Sequence, residues 1–252
     1  GFIRLIRHAG LAAAACLCSA MQAPAQEAPA FFLDLDTGGH RAVIRDLAVT
    51  PDGETLVSAS DDKTIRVWDW QSGVTIRTIR GQIGPGSEGN VYAVDISPDG
   101  QMVAAGGYFG PGLGDRPPYG DVRLFDLRSG RMIEVLKAAA YEIYDLDFAP
   151  DGALLAAGGG NGIAYLWERP AQPDGQWTKR GEFNADSWRI ERLAFVMGGA
   201  RLVAITEDNG LRLWNVADGS EVEMPEAEDL RGGPLSALAV SPDGSRFATA
   251  AA

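Results

Sequence analysis

Cysteine and histidine are scarce in this chain, and their scarcity limits the chemistry that it can support. Its 252 residues include two Cys and two His. Both cysteines, Cys16 and Cys18, lie in an apolar N-terminal stretch that has the features of an export signal. Removal of that stretch leaves His40 and no thiol, which excludes a disulfide or a cysteine nucleophile in the mature chain. We therefore predict no metal site, no cofactor and no catalytic group within these residues.

The first 25 residues have the parts of a secretion signal in the expected order. Arg4 and Arg7 make the start positive, and residues 11–20 form an apolar stretch too short to span a bilayer. Residues 23–25 (Ala-Pro-Ala) carry the small side chains that a signal peptidase recognises. The alternative is a disordered or amphipathic tail. We predict cleavage before Gln26 and an exported protein, periplasmic or secreted, with no membrane contact once the signal is removed.

Basic residues are also in short supply. The chain has 22 Lys and Arg against 34 Asp and Glu, a formal net charge of −12. Loss of the two signal arginines leaves 20 basic residues and a net charge of −14. A chain of this charge repels phosphate backbones and anionic lipids, and no basic stripe offsets the total. We predict that nucleic acids are not among its partners.

What the chain does contain is a recurring turn. Copies of the pattern Thr/Ser/Ala-Pro-Asp-Gly occupy residues 50–53, 97–100, 149–152 and 241–244, with a degraded version at 196–199. Successive copies are 47, 52, 47 and 45 residues apart. Each follows an alternating apolar run, which is typical of a strand entering a tight turn, because Pro restricts φ and Gly accepts positive φ. The period predicts a repeat architecture built from short strands.

A large aromatic residue follows each turn at a fixed distance. Trp68, Trp167 and Trp214 each lie 15 residues after the last residue of their turn. In the second repeat Phe125 holds this place, 25 residues after Gly100. The difference indicates one insertion of ten residues around 108–119. Without the insertion, the four repeats align from the turn to the aromatic position.

These landmarks resemble the WD-repeat family, most closely in the first repeat. Its matching residues are Gly39-His40, 50–53 (Thr-Pro-Asp-Gly) and 58–69 (Ser-Ala-Ser-Asp-Asp-Lys-Thr-Ile-Arg-Val-Trp-Asp). The resemblance implies an all-β propeller of four-stranded antiparallel blades, commonly seven when whole. Residues 39–252 would supply four blades and part of a fifth, so we expect a part of a longer protein. We predict the first-blade strands at 43–49, 54–60, 64–70 and 74–79. Within the N-terminal segment 26–38, residues 31–35 are predicted to form an outer closing strand.

In the family, a His, a Ser, an Asp and the Trp hydrogen-bond across a blade. His40, Ser58, Asp62 and Trp68 match this set in the first repeat, whereas the other repeats keep parts of it. The partial sets are Trp167 in the third repeat and Asp208 with Trp214 in the fourth. By residue type alone, His40, Ser58 and Asp62 are also compatible with a catalytic triad. The motif match favours the structural role.

The resemblance further implies that partners bind at one end of the propeller. The family's usual contact positions correspond to Arg45, Tyr92, Tyr144, Glu191 and Ser236. Tyr and Arg are prominent in interface energetics, so we expect a protein partner here, although simple exposed strand residues are the alternative. The insertion is a second candidate, with Tyr108, Phe109, Arg116 and Tyr119, because aromatic residues in an exposed loop are hard to explain by folding.

A narrower resemblance concerns the whole protein. Residues 37–40, 44–47, 78–86 and the Gly-rich insertion are similar to bacterial WD-repeat proteins that also carry a caspase-like peptidase domain. Such a domain needs a Cys-His pair, which the mature chain lacks. Two hypotheses remain open: a non-catalytic protein-binding scaffold, or the sensing propeller of a larger peptidase whose catalytic domain lies outside these residues.

Overall fold

The computed structural model describes residues 38–81, 84–109, 120–172, 174–224 and 235–251. The predicted signal at 1–25, the predicted closing strand at 31–35 and most of the insertion, with Arg116 and Tyr119, lie outside the described residues.

The described residues form antiparallel sheets, each made from consecutive strands. The first sheet contains β1 (Ile44–Val49), β2 (Thr55–Ser60), β3 (Thr64–Asp69) and β4 (Thr75–Arg80). The second contains β5 (Val91–Ile96), β6 (Met102–Gly107), β7 (Gly120–Asp126) and β8 (Met132–Ala140). The third contains β9 (Ile143–Phe148), β10 (Leu154–Gly159), β11 (Ile163–Glu168) and β12 (Thr178–Asn184). The fourth has β13 (Ile190–Val196), β14 (Arg201–Thr206) and β15 (Leu211–Asn215), and the fifth has β16 (Leu235–Val240) and β17 (Phe247–Ala251).

Three complete four-stranded blades confirm the predicted architecture. The first strands of successive sheets contact one another, which places them at the inner edge of each blade. At most of their ends, the predicted strands of the first blade differ from the observed ones by one residue. The fourth blade departs from the prediction: among the described residues its outer strand is reduced to one antiparallel bridge between Trp214 and Glu221.

The recurring turn closes the hairpin between the first and second strands of a blade. In the first blade, the Gly53 N–H donates to the Thr50 carbonyl at 2.8 Å. The Asp52 carboxylate accepts from the Thr50 hydroxyl at 2.5 Å and from the Glu54 N–H at 3.0 Å. Gly53 has a φ of +73°, a conformation that a side chain makes costly. These bonds explain why the turn recurs with Thr or Ser, Asp and Gly at fixed places.

Apolar residues of each inner strand pack on the blade before it. Val94 and Ile96 of β5 join Val57 and Ala59 of the first blade in one buried cluster. Leu193 and Phe195 of β13 pack in the same way on the third blade. Neighbouring blades therefore share a core, because one sheet cannot cover both of its own faces. Burial of one large aliphatic side chain contributes about 1.5–3 kcal/mol.

Carboxylates also connect neighbouring inner strands. Asp46 accepts a hydrogen bond from the backbone N–H of Val94 at 2.9 Å, and Asp95 accepts one from Phe148 at 2.7 Å. Between the third and fourth blades, Asp145 and Asp147 accept from Leu193 and Phe195. Each carboxylate thus satisfies an edge-strand donor that the sheets leave unpaired.

Candidate functional site

A β-bulge interrupts each of the five inner strands at the predicted contact position. In β1, Ile44 and Asp46 pair with consecutive residues of β2, which leaves Arg45 between them without a pairing partner. The same shift occurs at Tyr92, Tyr144, Glu191 and Ser236. A bulge redirects a side chain out of the regular alternation. We call the surface formed by these five residues, together with the adjoining Glu142, Arg189 and Arg192, the bulge face.

The turn between the second and third strands of a blade borders the bulge face. In three blades a backbone N–H of this turn donates to the backbone carbonyl of the residue just before the inner strand. These bonds run from Asp61 to Val43, from Gly160 to Glu142 and from Glu207 to Arg189, at 3.0, 2.8 and 3.0 Å. Side chains from these turns and from the bulges therefore meet on one surface.

Two tyrosines and two arginines form a stacked row on the bulge face. The rings of Tyr92 and Tyr144 lie 5.7 Å apart between centroids, at an interplanar angle of 17°. The Arg45 guanidinium carbon is 5.7 Å from the Tyr92 centroid, and that of Arg189 is 4.8 Å from the Tyr144 centroid. The row thus runs Arg45–Tyr92–Tyr144–Arg189, with one cation near each ring, within the distance at which a cation and an aromatic ring attract each other.

Each arginine of the row is held by a carboxylate. Two guanidinium nitrogens of Arg45 contact Asp61 at 2.6 and 3.0 Å. Arg189 donates to Glu191 at 2.8 Å through Nε and lies 3.6 Å from Glu207. Such forked contacts fix a flexible side chain in one geometry. Contacts within the fold therefore hold the row in place.

The row borders a depression of about 340 Å³ that is lined mainly by polar groups. Its lining residues are Arg45, Tyr92, Tyr144, Arg189, Glu191 and Arg192. Burial raises the pKa of both tyrosines above the usual value, so their hydroxyls are protonated at neutral pH and can donate hydrogen bonds. The depression therefore offers donors and acceptors to a polar ligand.

The insertion was predicted to expose its aromatic residues, and for Phe109 this was wrong. Phe109 is 4% exposed and belongs to the apolar cluster shared by the first two blades. The Arg123 guanidinium lies 4.4 Å from its ring centroid. Tyr108 is half-buried, and its backbone pairs with Gly89 and Asn90. Packing thus accounts for Phe109, whereas Tyr119 lies outside the described residues.

His40, Ser58, Asp62 and Trp68 form one hydrogen-bonded chain. His40 bonds Asp62 through Nδ1 at 2.9 Å and Ser58 through Nε2 at 2.6 Å, and the Trp68 indole donates to Ser58 at 2.8 Å. His40 is 3% exposed and Ser58 is 1% exposed. A nucleophile buried to this degree cannot reach a substrate. The geometry fits a structural role, and burial lowers the pKa of His40, which favours the neutral ring.

The fourth blade replaces this chain with a shorter one. Asp208 accepts from the hydroxyl of Ser187 at 2.9 Å and from that of Thr206 at 2.5 Å. Ser187 therefore bonds the turn Asp as His40 does in the first blade. Trp167 and Trp214 are buried and pack on the rings of Tyr165 and Phe183, respectively.

Sequence reasoning missed two charged residues at the bulge face and one exposed tryptophan that precedes β13. Arg189 was not singled out, although it lies two residues before the bulge at Glu191. Glu142 precedes Tyr144 in the same way and lies beside it. Trp188 is 86% exposed, on a turn where Asn184 and Asp186 exchange hydrogen bonds. Their common signal is their position in the sequence. All three lie just before an inner strand, whereas the predicted contact positions lie within one.

Within the residues whose structure is described, no helix has the length and hydropathy needed to cross a membrane. Nor do three or more His, Cys, Asp or Glu side chains of that part of the chain gather as metal ligands.

Blades of four antiparallel strands around a common inner edge define the chain as a propeller of the repeat type. The sequence profile of the family described as "WD domain, G-beta repeat" matches residues 34–69, 73–108 and 130–168. The chain thus carries at least three repeats of the WD-repeat family.

Several proteins from plants and animals are similar to this chain. A guanine nucleotide-binding protein subunit beta from Oryza sativa subsp. japonica is 29% identical over 185 residues, covering 70% of this chain and 44% of the relative. The target of rapamycin complex subunit LST8 of Mus musculus is 25% identical over 203 residues, 79% of this chain and 55% of the relative. Protein groucho of Drosophila melanogaster is 27% identical over 176 residues, 70% and 21%. The chain thus spans about half or less of these relatives.

Proposed function

We propose that this chain is a non-catalytic scaffold that binds a protein partner through the bulge face. The observation that carries the proposal is the row Arg45–Tyr92–Tyr144–Arg189, ordered by ion pairs to Asp61 and Glu191. Rigid Tyr and Arg side chains lose little entropy on binding and supply much of the energy of protein interfaces. The printed names of two relatives, a subunit beta and a complex subunit, also support a role in assemblies.

A photo-cross-linking residue at a bulge position tests this proposal. We would introduce it at Tyr144 and, as a control, at Met132, an exposed residue at the start of β8. β8 is the outermost strand of its blade and begins after the turn between the third and fourth strands, so Met132 lies away from the inner-strand bulges of the bulge face. We expect a discrete cross-linked protein from position 144 and none from position 132.

A double variant provides the second test. Tyr92→Ala with Tyr144→Ala removes both rings from a surface site, so we expect a melting temperature close to the unchanged protein but loss of the cross-linked or co-purified protein. Undiminished capture by the folded double variant would remove the bulge face as the binding surface.

We further propose that the scaffold is exported, on the strength of the signal-like residues 1–25. Expression of the chain in a bacterium, followed by cell fractionation and N-terminal sequencing, tests this. We expect a periplasmic or secreted product that begins at Gln26. A cytosolic product that retains residue 1 argues against export.

A second candidate is the sensing propeller of a caspase-like peptidase. It is supported by the similarity of residues 37–40 and 44–47 to such proteins, and its catalytic domain would lie outside these 252 residues. The coding sequence around this segment discriminates the two candidates: a Cys-His pair in an α/β domain favours the peptidase, and further blades alone favour the scaffold.

A further inference from the structure

The bulge face contains three arginines around its depression, and each already has an anionic or carbonyl partner. Arg45 is paired with Asp61, and Arg189 is paired with Glu191. Arg192 donates to the Glu191 carbonyl at 2.7 Å. A ligand carboxylate would have to displace these contacts. The positive charges of this surface are therefore largely satisfied within the fold.

One carboxylate on the same surface is in the opposite situation. Glu142 is half-buried, and its side chain makes no hydrogen bond or ion pair with any residue that the structure describes. Arg189 acts on it only as a nearby charge. Burial raises the pKa of Glu142, because lost hydration is not replaced by donors. In the free protein the remaining hydrogen bonds of this carboxylate are made with water, which a cationic group would replace.

The Glu142 carboxylate occupies space that is open because Gly160 has no side chain. A Cβ added to Gly160 would lie 2.8 Å from the Glu142 Oε2 and 3.1 Å from the Tyr144 Cε2. The carboxylate and the edge of the Tyr144 ring therefore lie side by side over the backbone of the turn between β10 and β11. Glu142 also acts electrostatically on Tyr92, the other ring of the row.

The stacked row limits how a ligand can approach. Tyr144 is in ring contact with Tyr92 and has the Arg189 guanidinium nearby, while the Arg45 guanidinium lies near Tyr92. A ligand that inserted between these groups would break the row, so it meets ring edges, hydroxyls and the Glu142 carboxylate. A cation is the group that complements these ring edges, hydroxyls and the carboxylate.

We infer that Glu142 receives the charged end of a Lys or Arg side chain contributed by the protein partner, beside the edge of Tyr144. The inference rests on the proposed function and names the chemistry of the partner. The net charge of −12 acts in the same direction, because it steers a basic segment toward the surface. Glu142 is thereby a specificity residue, and the arginines position the tyrosines.

A set of short peptides tests this directly. The probes are capped nine-residue Gly-Ser peptides whose central residue is Arg, Lys, citrulline or Glu. Citrulline keeps the shape of Arg and removes its charge. Binding is followed by the ring NMR signals of Tyr92 and Tyr144, which permits weak affinities. We expect the Arg and Lys peptides to bind about tenfold more tightly than the citrulline and Glu peptides, as for a gained charge pair.

Variants of the protein distinguish the effect of the Glu142 carboxylate on binding from the effect of the net charge. Glu142→Gln should remove the preference for Arg over citrulline. Glu168→Gln, at the opposite end of β11, changes the net charge equally and should leave the preference intact. Gly160→Ala keeps the carboxylate but pushes it from its place, so it should weaken the Arg peptide as well. Unchanged melting temperatures establish that each variant is folded.

The outcomes distinguish this inference from the proposed function. Equal binding of the Arg and citrulline peptides, an Arg preference that survives Glu142→Gln, or peptides that leave both tyrosine signals unshifted overturns the inference. The cross-link at Tyr144 decides the proposed function separately. A partner captured there whose contact segment carries no Lys or Arg would leave the scaffold proposal standing and refute the role of Glu142.

Discussion

Asp145 of the third blade accepts a hydrogen bond from the backbone N–H of Leu193 in the fourth blade, at 2.7 Å. The carboxylate lies at the inner edge of the propeller, where Asp46 is a neighbouring negative charge and Arg192 a neighbouring positive one. Burial raises the pKa of Asp145 from 3.8 to about 8. The bond joins two blades through a group whose ionised form is disfavoured by its surroundings.

The first prediction concerns pH. Because the pKa of Asp145 is higher in the folded state, that state binds more protons than the unfolded chain between pH 4 and 8. Its contribution is fully present below the unfolded pKa and is lost as pH rises through the folded pKa. Asp145→Asn keeps an acceptor for Leu193 and cannot ionise. Urea titrations should show the unchanged protein losing at least about 1 kcal/mol more than the variant between pH 5 and 8.

Asp243 provides the control for this experiment. Hydrogen bonds from Ser241 and Ser245 lower its pKa to about 2. Its stabilising effect is therefore present above the unfolded value of 3.8 and is lost only in acid below it. Asp243→Asn should leave the slope between pH 5 and 8 unchanged. Equal slopes for the unchanged protein and for Asp145→Asn would contradict the raised pKa.

The second prediction concerns the buried hydrogen-bonded chain of the first blade. Ser58→Ala removes the partner of both His40 Nε2 and the Trp68 indole N–H. Each buried polar group left without a partner costs about 1–3 kcal/mol, so we expect a loss of about 2–4 kcal/mol in free energy of unfolding. Ser72→Ala, in the exposed turn after β3, should cost well under half of that. Equal losses would show that the chain is not a stabilising unit.

The third prediction compares two tryptophans. Trp214 is 2% exposed and packs with Phe183, whereas Trp188 is 86% exposed. Trp214→Ala should destabilise by about 3–5 kcal/mol, because the deletion leaves a cavity between blades. Trp188→Ala should change stability by no more than about 0.5 kcal/mol. Calorimetric melting of both variants checks the pair, and a large loss from Trp188→Ala would mean that this ring has a packing role.

The fourth prediction separates backbone strain from steric overlap. Gly162 and Gly73 have similar positive φ values, +73° and +66°. A Cβ on Gly73 meets nothing within 4 Å, whereas one on Gly162 would lie 1.8 Å from the Ser187 carbonyl oxygen. Gly73→Ala should therefore cost about 1–2 kcal/mol from the backbone alone. Gly162→Ala should cost at least about 2 kcal/mol more and disturb the turn that carries Trp188. Equal melting temperatures for the two variants would refute this.

The repeat and the strands of the first blade could be predicted from the sequence, because both depend on local spacing. The resemblance to WD repeats indicated the five contact positions but not the bulges at them. Alternating apolar residues before a Pro-Asp-Gly turn set the register of the inner strand, and that register defines Tyr92 and Tyr144 as equivalent. The aromatic landmarks at Trp167 and Trp214 locate the third strands for the same reason.

Contacts between repeats could not be predicted from local spacing. The pairing of Arg189 with Glu191 and its stacking on Tyr144 depend on rotamers and on the approach of two blades. Phe109 was predicted to be exposed, but it is buried by the seam between the first two blades, which no local pattern encodes. The reduction of the outer strand of the fourth blade to one bridge, among the residues that the structure describes, also escaped prediction, since the repeat period continues through this blade.

The bulges limit how far an amino-acid substitution on this surface affects the fold. Arg45, Tyr92, Tyr144, Glu191 and Ser236 stand outside the pairing ladders of their sheets. None of these side chains belongs to the buried clusters between blades, so a substitution at such a position leaves the strand register and the core in place. The residues that would contact a partner of the proposed scaffold are thus separate from those that hold the blades together. Single substitutions at the bulges can accordingly alter this surface at little risk to the fold that presents it.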